Sequence, residues 1–163
     1  MIIIISGLQD SGKSDLAAKL SNKFDFPLIS SERLRARLQA LGKYRLKDKL
    51  FIYEKMARLA QQNLKSNKGV IIDAPFSQQA SRDPFIKLAD TLSVPIRWIF
   101  VNTSEDIFKG RLIKSGSSET AFKVLKTMRD EFEPFVGRVL KLDSTDTNID
   151  KMIKAVERFI KQD

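Results

Sequence analysis

The first 14 residues constrain the fold more than any other part of the chain. An apolar run from Met1 to Ile5 and then Ser6 precede GLQDSGKS at 7–14, which matches the pattern G-x-x-x-x-G-K-[ST]. Glycine at both ends allows backbone N–H groups to turn inward around a phosphate, and the helix that follows adds the positive end of its dipole. The pattern therefore predicts a phosphate-binding loop between a buried strand and a helix.

Each polar group of this loop has a predicted task, with ATP and Mg²⁺ as the expected ligands. Lys13 reaches the β and γ phosphates as a point charge, and the Ser14 hydroxyl binds Mg²⁺. Asp10 is either a turn residue whose carboxylate faces water or a group near the metal or the acceptor. The predicted nucleotide-binding residues are Gly7, Asp10, Ser11, Gly12, Lys13 and Ser14.

Length and composition favour a single domain over residues 1–163 and exclude several kinds of site. The chain has no cysteine and no histidine, which excludes disulfides, thiolate nucleophiles, histidine bases and the usual zinc sites. Acid–base chemistry must then fall to carboxylates, lysines or the substrate. The net charge of +9 fits anionic ligands, including nucleotides, phosphorylated metabolites and nucleic acid. A basic surface that serves solubility alone would have the same composition.

The hydropathy of the chain gives no indication of a membrane span or a secretory leader. The N-terminal apolar run is short and has no basic segment before it, and no other stretch approaches the length of a membrane span. We therefore expect a cytoplasmic protein without a membrane partner.

Apolar runs and helical periodicity alternate along the chain. After the first strand, the predicted strands cover residues 26–30, 70–73, 96–101 and 138–142. The predicted helices cover residues 13–23, 32–41, 46–66, 84–92, 104–114, 118–132 and about 149–160, with a loop over 74–83. This alternation predicts an α/β fold with a parallel sheet of five strands and helices on both faces.

Polar residues follow the ends of three predicted strands, where ligands gather in such sheets. Ser30, Asp73 and Asn102 each lie just past a strand. Asp73 is expected to hold Mg²⁺ together with Ser14, on the opposite side of the ion from the phosphate loop. The alternative is that its carboxylate caps the following turn.

A second set of residues is expected at the acceptor side of the site. Glu32 is the candidate to take the proton of an acceptor hydroxyl, although a glutamate in the first turn of a helix also satisfies the helix dipole. Arg35, three residues further on, either holds an anionic acceptor or pairs with Glu32. Arg82, in the predicted loop, is a second candidate for acceptor binding.

Two cations precede a polar break at residues 115–118. We expect Arg111 to lie on a closing lid of about residues 112–120, where it would stabilise charge on the transferring phosphoryl group. Lys114 is a weaker candidate for the same role. A solvated helix end would show the same pattern, because cations favour helix C-termini.

Together these segments resemble the small P-loop kinases of the AAA_33 type. These kinases are related to the kinase domain of polynucleotide kinase and, more distantly, to zeta toxin and gluconate kinase. The resemblance covers nearly the whole chain, and the matching stretches are GLQDSGKS at 7–14, ISSERLR at 29–35, GVIIDAPF at 69–76, the segment 107–121 and FEPF at 132–135.

The resemblance implies a P-loop NTPase fold of three layers with a small helical lid. It also implies the roles given above for Lys13, Ser14, Arg35, Asp73 and Arg111. The chain departs from the usual loop G-x-P-G-S-G-K-S, because Gln9 and Asp10 replace its proline and second glycine. It also has Glu32 where the family typically has aspartate.

The sequence therefore predicts an ATP-dependent phosphotransferase that acts on a hydroxyl acceptor. The acceptor class stays open between a nucleic-acid 5′ end, a nucleotide and a small metabolite. The basic charge favours nucleic acid, but no RNA-reading motif with aromatic platforms is evident. The alternative function is a nucleotide-dependent switch or binding module that acts through a partner; against it, no switch segment with a water-positioning glutamine is recognisable in the sequence.

Overall fold

The computed structural model describes residues 1–8, 10–43, 45–114, 116, 119–145 and 148–162. Five strands form one parallel sheet in the order β2-β3-β1-β4-β5. They are β1 (Ile2–Ser6), β2 (Leu28–Ser30), β3 (Val70–Asp73), β4 (Ile96–Asn102) and β5 (Val139–Asp143). The predicted parallel sheet is confirmed.

Helices connect the strands and cover both faces of the sheet. They are α1 (Lys13–Phe24), α2 (Ser31–Arg37), α3 (Leu46–Leu64), α4 (Gln79–Leu92), α5 (Glu105–Lys114), α6 (Glu119–Asp130) and α7 (Ile149–Ile160). Among these described helices, none combines the length and the apolar composition that crossing a membrane requires.

The central strand β1 belongs to two apolar cores at once. Its four isoleucines, residues 2–5, are all 0% exposed. Ile2 and Ile4 pack with residues of α3 and α4 on one face, whereas Ile3 and Ile5 pack with residues of α1 and α7 on the other. Alternate side chains of a strand point to opposite faces, so an unbroken apolar run is what a strand covered on both sides requires. The result is a three-layer arrangement.

One predicted loop is wrong over its second half. Helix α4 begins at Gln79 and contains Pro84, whereas the sequence predicted a loop over 74–83 that ended at this proline. Pro84 has no N–H to donate to the carbonyl of Ala80 one turn earlier. Ala80 is exposed, so water can bind that carbonyl and the helix tolerates the proline.

Other helix ends differ from prediction by a few residues. Helix α2 ends at Arg37, not at residue 41. Of the two caps that the sequence allows for α5, Thr103 and Ser104, it is Ser104 whose Oγ accepts from the backbone N of Ile107, at 3.4 Å. The predicted lid at 112–120 and the predicted helix start at 118 fall partly outside the described residues.

Candidate functional site

The loop at residues 7–14 joins β1 to α1 and has the backbone form that its glycines predict. Gly7 has φ +153°, and a Cβ atom there would lie 2.5 Å from the carbonyl oxygen of Val101 on β4. Gly12 has φ +87° and precedes the first residue of α1. A side chain at either position would strain the loop, so the two glycines set its path beside the end of β4.

The Asp73 carboxylate is the point where the loop and the neighbouring strand meet. Parallel pairing of β1 with β3 brings Asp73 level with Ile5, directly before the loop. The Ser14 hydroxyl donates to Asp73 Oδ2 at 2.8 Å, and Lys13 Nζ lies 3.9 Å from Asp73 Oδ1. Asp73 is only 3% exposed, whereas Lys13 is partly buried and Ser14 is exposed. The buried carboxylate therefore lies beneath a cation and a hydroxyl that solvent and ligands can reach.

One oxygen of this carboxylate is chemically unsatisfied. Asp73 Oδ1 is buried and has no hydrogen-bond partner among the described residues, because Lys13 is too far away for a hydrogen bond. A buried polar atom without a partner is costly and therefore needs a reason, such as a role in binding an ion. Carboxylate and hydroxyl oxygens are ligands that suit Mg²⁺, which also takes oxygens from nucleotide phosphates. Ser14 and Asp73 therefore fit the predicted magnesium site.

Arg111 lies against the phosphate loop from the other side. Its NH1 group donates to the backbone oxygen of Asp10 at 2.9 Å, and its NH2 group donates to the backbone oxygen of Ser144 at 3.1 Å. Asp10 has φ +59°, the left-handed conformation that aspartate tolerates in turns. Arg111 thus links the loop to the end of β5. Ser144 was not predicted, although it directly follows β5.

Glu32 and Arg35 occupy different environments on α2. The preceding strand brings Ser30 level with Asp73, so Glu32 lies at the carboxyl edge of the sheet in the first turn of α2, where it is exposed. Arg35 is only 4% exposed and donates through NH1 to the backbone oxygen of Lys43 at 2.8 Å. This bond ties α2 to the segment before α3.

Arg82 has a different position from the one that the sequence predicted. It lies in α4, is 1% exposed, and donates through Nε to the carbonyl oxygen of Phe76 at 2.9 Å and through NH1 to that of Pro134 at 2.8 Å. Its NH2 group donates to the carbonyls of Ser77 and Glu133. The guanidinium therefore joins two chain segments, and its N–H groups are used on backbone oxygens and not on an acceptor.

The described fold is shared with several solved kinase structures at low sequence identity. A sugar kinase from Janibacter sp. HTCC2649 has a TM-score of 0.74 at 15% identity, covering 98% of this chain and 93% of that chain. A gluconokinase from Sinorhizobium meliloti 1021 has a TM-score of 0.67 at 18% identity, covering 94% and 87%. The APS kinase of Mycobacterium tuberculosis, in complex with AMPPNP and APS, has a TM-score of 0.70 at 15% identity, covering 96% of both chains.

Such identities establish the common fold and do not single out a polynucleotide kinase or zeta toxin subgroup. No curated protein matches the sequence. The sequence model of one family, AAA_33, described as an AAA domain, matches residues 2–135, so the chain belongs to the AAA_33 family.

Proposed function

We propose that this protein is an ATP-dependent kinase that transfers the γ-phosphate to a hydroxyl group of a small molecule. The observation that carries the proposal is the convergence on Asp73, where Ser14 Oγ is 2.8 Å from Oδ2 and Lys13 Nζ is 3.9 Å from Oδ1. A hydroxyl, an ammonium and a carboxylate next to a glycine-bounded loop are the groups that phosphoryl transfer needs.

In the proposed reaction the protein acts mainly by positioning charge. The loop amides and the Lys13 ammonium hold the phosphate tail, and Ser14 and Asp73 hold Mg²⁺. The bound ion would neutralise charge on the β and γ phosphates. Glu32 accepts the proton of the acceptor hydroxyl, and Arg111 fixes the loop through the Asp10 carbonyl, close to where phosphoryl charge develops.

Similar structures favour a small acceptor. Two of the kinases above are named for a sugar and for gluconate, and the third was solved with APS and the ATP analogue AMPPNP. These names support ATP as the donor and a metabolite as the acceptor. They give no support to a nucleic-acid 5′ end, which the basic charge alone had favoured.

The first prediction concerns Lys13. Replacement by alanine removes the cation that binds the β and γ phosphates, so we expect Lys13→Ala to lower acceptor-stimulated ADP release to background, a loss of at least about a hundredfold. The matched control is Lys19→Ala, an exposed lysine on the same helix, which should retain wild-type turnover. Circular dichroism should show both variants folded.

Acceptor dependence separates the kinase from the alternative switch. Transfer of a labelled γ-phosphate to a metabolite pool, with ADP release that rises with acceptor concentration, supports the kinase. ADP release that ignores every acceptor and responds only to an added protein partner would contradict it and favour the switch. Full activity of Lys13→Ala would contradict both functions.

A further inference from the structure

A cavity of about 220 Å³ lies beside the phosphate loop, at the carboxyl end of β4. Leu8 and Ser11 of the loop form one wall, so the cavity adjoins the group that would bind the phosphates. The end of β4 and the end of α6 form the other walls, which include Phe100, Thr103, Arg129 and Phe132. None of these four residues was predicted as part of the site.

The cavity combines a cation with hydroxyl groups that have no partner among the described residues. Arg129 lies in the last turn of α6, is partly buried, and makes no hydrogen bond to another described residue. Its charge does act on the exposed Glu105. The hydroxyls of Ser11 and Thr103 are buried and lack a hydrogen-bond partner within the described part of the chain. Both residues line the cavity, so a bound molecule is one source of such partners.

We propose that this cavity is the acceptor subsite and that it binds a small hydroxylated molecule carrying one anionic group, a carboxylate or a phosphate ester. The proposal rests on the kinase function proposed above. Arg129 binds the anion, because a guanidinium forms strong charge-assisted hydrogen bonds with such groups. Ser11 and Thr103 bind hydroxyls, and the ring faces of Phe100 and Phe132 contact the carbon skeleton.

The packing of two rings in the cavity wall opposes a nucleobase stacked between them. The cavity volume is below the range of about 300–1,000 Å³ that is typical of sites for drug-sized ligands, which indicates a small occupant. The rings of Phe100 and Phe132 pack against each other with centroids 4.9 Å apart. A base stacked between two rings would need them about 7 Å apart, twice the usual carbon contact distance. The cavity therefore suits a compact metabolite better than a strand of nucleic acid.

The wall that carries Arg129 and Phe132 is anchored to the rest of the site. Arg82 lies with its guanidinium carbon 5.4 Å from the centroid of Phe132 and 4.0 Å from that of Phe135. The same guanidinium binds the carbonyls of Pro134 and Phe76, and Phe76 lies three residues after Asp73. We therefore expect the subsite to be formed before the acceptor binds.

The binding test uses the full chain loaded with Mg²⁺ and AMPPNP. Calorimetry measures the affinity of glycerate, threonate, gluconate and glycerol 3-phosphate, and each anion is compared with the corresponding uncharged polyol. The first three anions test recognition of a carboxylate, and the fourth tests recognition of a phosphate ester. At least one anion should bind with saturation and more tightly than its polyol. Arg129→Gln should weaken that anion about tenfold or more and abolish the preference over the polyol, with AMPPNP affinity unchanged.

Two further variants distinguish binding from a structural role. Lys126→Gln removes an exposed charge from the same helix and should leave the anion affinity as it is. Thr103→Val keeps the shape of the side chain and removes a hydroxyl that has no described partner. We expect it to lower the affinity of the preferred anion by about fivefold without lowering the midpoint of urea unfolding.

Each outcome decides for or against the subsite. If the protein binds AMPPNP but none of the four anions, or if Arg129→Gln binds the preferred anion as wild type does, the subsite proposal is overturned and the kinase proposal stands. Transfer of the γ-phosphate to an uncharged or nucleic-acid acceptor, at a rate that does not depend on Arg129, would also overturn the subsite proposal and leave the kinase proposal standing. Failure to bind AMPPNP would instead overturn the proposed function.

Discussion

Two carboxylates at the same edge of the sheet have opposite surroundings. Asp73 is 3% exposed and accepts a hydrogen bond from the hydroxyl of Ser14. Glu32 is exposed, and it lies at the start of the helix that follows the neighbouring strand β2. Burial beside a cation and a hydroxyl suits a group that holds a metal ion together with nucleotide phosphates. Exposure suits a group that meets an incoming acceptor. This difference in environment assigns the two acids different roles in the proposed reaction.

Replacing Glu32 tests its role as the proton acceptor. In Glu32→Gln the side chain keeps its shape and loses its basicity, so we expect the transfer rate to fall by about 10²- to 10⁴-fold while the affinity for ATP stays within about twofold. Glu54→Gln, an exposed glutamate on α3, is the control and should behave as wild type. Rapid-quench transfer assays and nucleotide titrations measure the two quantities. Equal losses of both would remove Glu32 from this role.

Tyr53 is expected to make the folded protein less stable at alkaline pH. Burial raises the pKa of its hydroxyl from 10.0 to about 12, and this hydroxyl accepts a hydrogen bond from the backbone N of Phe76 at 3.1 Å. Above about pH 10 the unfolded chain loses this proton while the folded protein keeps it. The free energy of unfolding should therefore fall by about 2 kcal/mol as the pH rises from 10 to 12, and this group should have little effect well below pH 10.

The variant Tyr53→Phe isolates this effect from the lysines, which titrate in both proteins. At neutral pH it should be less stable than wild type by about 1–3 kcal/mol, because the N–H of Phe76 loses its partner. The difference between the two proteins should shrink as the pH approaches 12. Urea unfolding across this pH range measures it, and a constant difference would contradict the raised pKa.

Helices, strands and turns that depend on adjacent residues were predicted well from the sequence. Features that depend on contacts between distant residues were not. The strand, glycine turn and helix at residues 1–14 depend on adjacent residues, so the sequence predicts them directly. Arg111 instead contacts a carbonyl 101 residues away, and Arg82 contacts one 52 residues away. Nothing in the local sequence distinguishes such partners from solvent. For the same reason the cavity at Thr103 and Arg129 was not predicted, although the end of β4 was expected to face the ligand.

Helix α4 illustrates how a distant partner changes a local prediction. Pro84 favoured a loop before it, yet the helix starts five residues earlier. Four carbonyls from two other segments surround the Arg82 guanidinium and hold this first part of the helix in place. The gain from these bonds, each to a charged donor, exceeds the loss of one hydrogen bond at a proline.

Arg82→Met should therefore destabilise the protein strongly. The change leaves several buried carbonyls without a donor, so we expect the free energy of unfolding to fall by at least about 3 kcal/mol. Arg58→Met, at an exposed arginine of α3, should change it by less than about 0.5 kcal/mol. Urea unfolding followed by tryptophan fluorescence provides the measurement. A loss of acceptor affinity with unchanged stability would instead return Arg82 to the acceptor-binding role that the sequence suggested.

At the scale of the whole molecule, the sheet order concentrates the site at the carboxyl end of one strand. β1 lies between β3 and β4, which bring Asp73 to one side of the loop and the cavity residues to the other. β2 and β4 are separated by β3 and β1, about 14 Å at the usual spacing of strands. The cavity extends to Leu8 and Ser11 of the loop after β1, so the Glu32 side chain and a compact acceptor held by Arg129 would together cover the distance across the loop.

The net charge of +9 sets a property that is separate from acceptor choice. A protein with this charge should bind single-stranded DNA or RNA through phosphate contacts, whatever its substrate, and with affinity that depends steeply on salt. We expect affinity for a short 5′-hydroxyl oligonucleotide to fall by about 300-fold between about 50 and 200 mM salt, if about six phosphates are contacted. Arg129→Gln should change that affinity only slightly, because it removes one cation among many.

Phosphorylation of the same oligonucleotide decides what this binding means. Because the cavity does not suit a base, we expect no transfer to its 5′ hydroxyl above background at any salt concentration, while the preferred small anion is phosphorylated under the same conditions. Labelled γ-phosphate and gel separation measure both products in one reaction. Saturable 5′ transfer that survives at about 200 mM salt would show that the polyanion is a substrate, and the basic surface would then belong to the acceptor site.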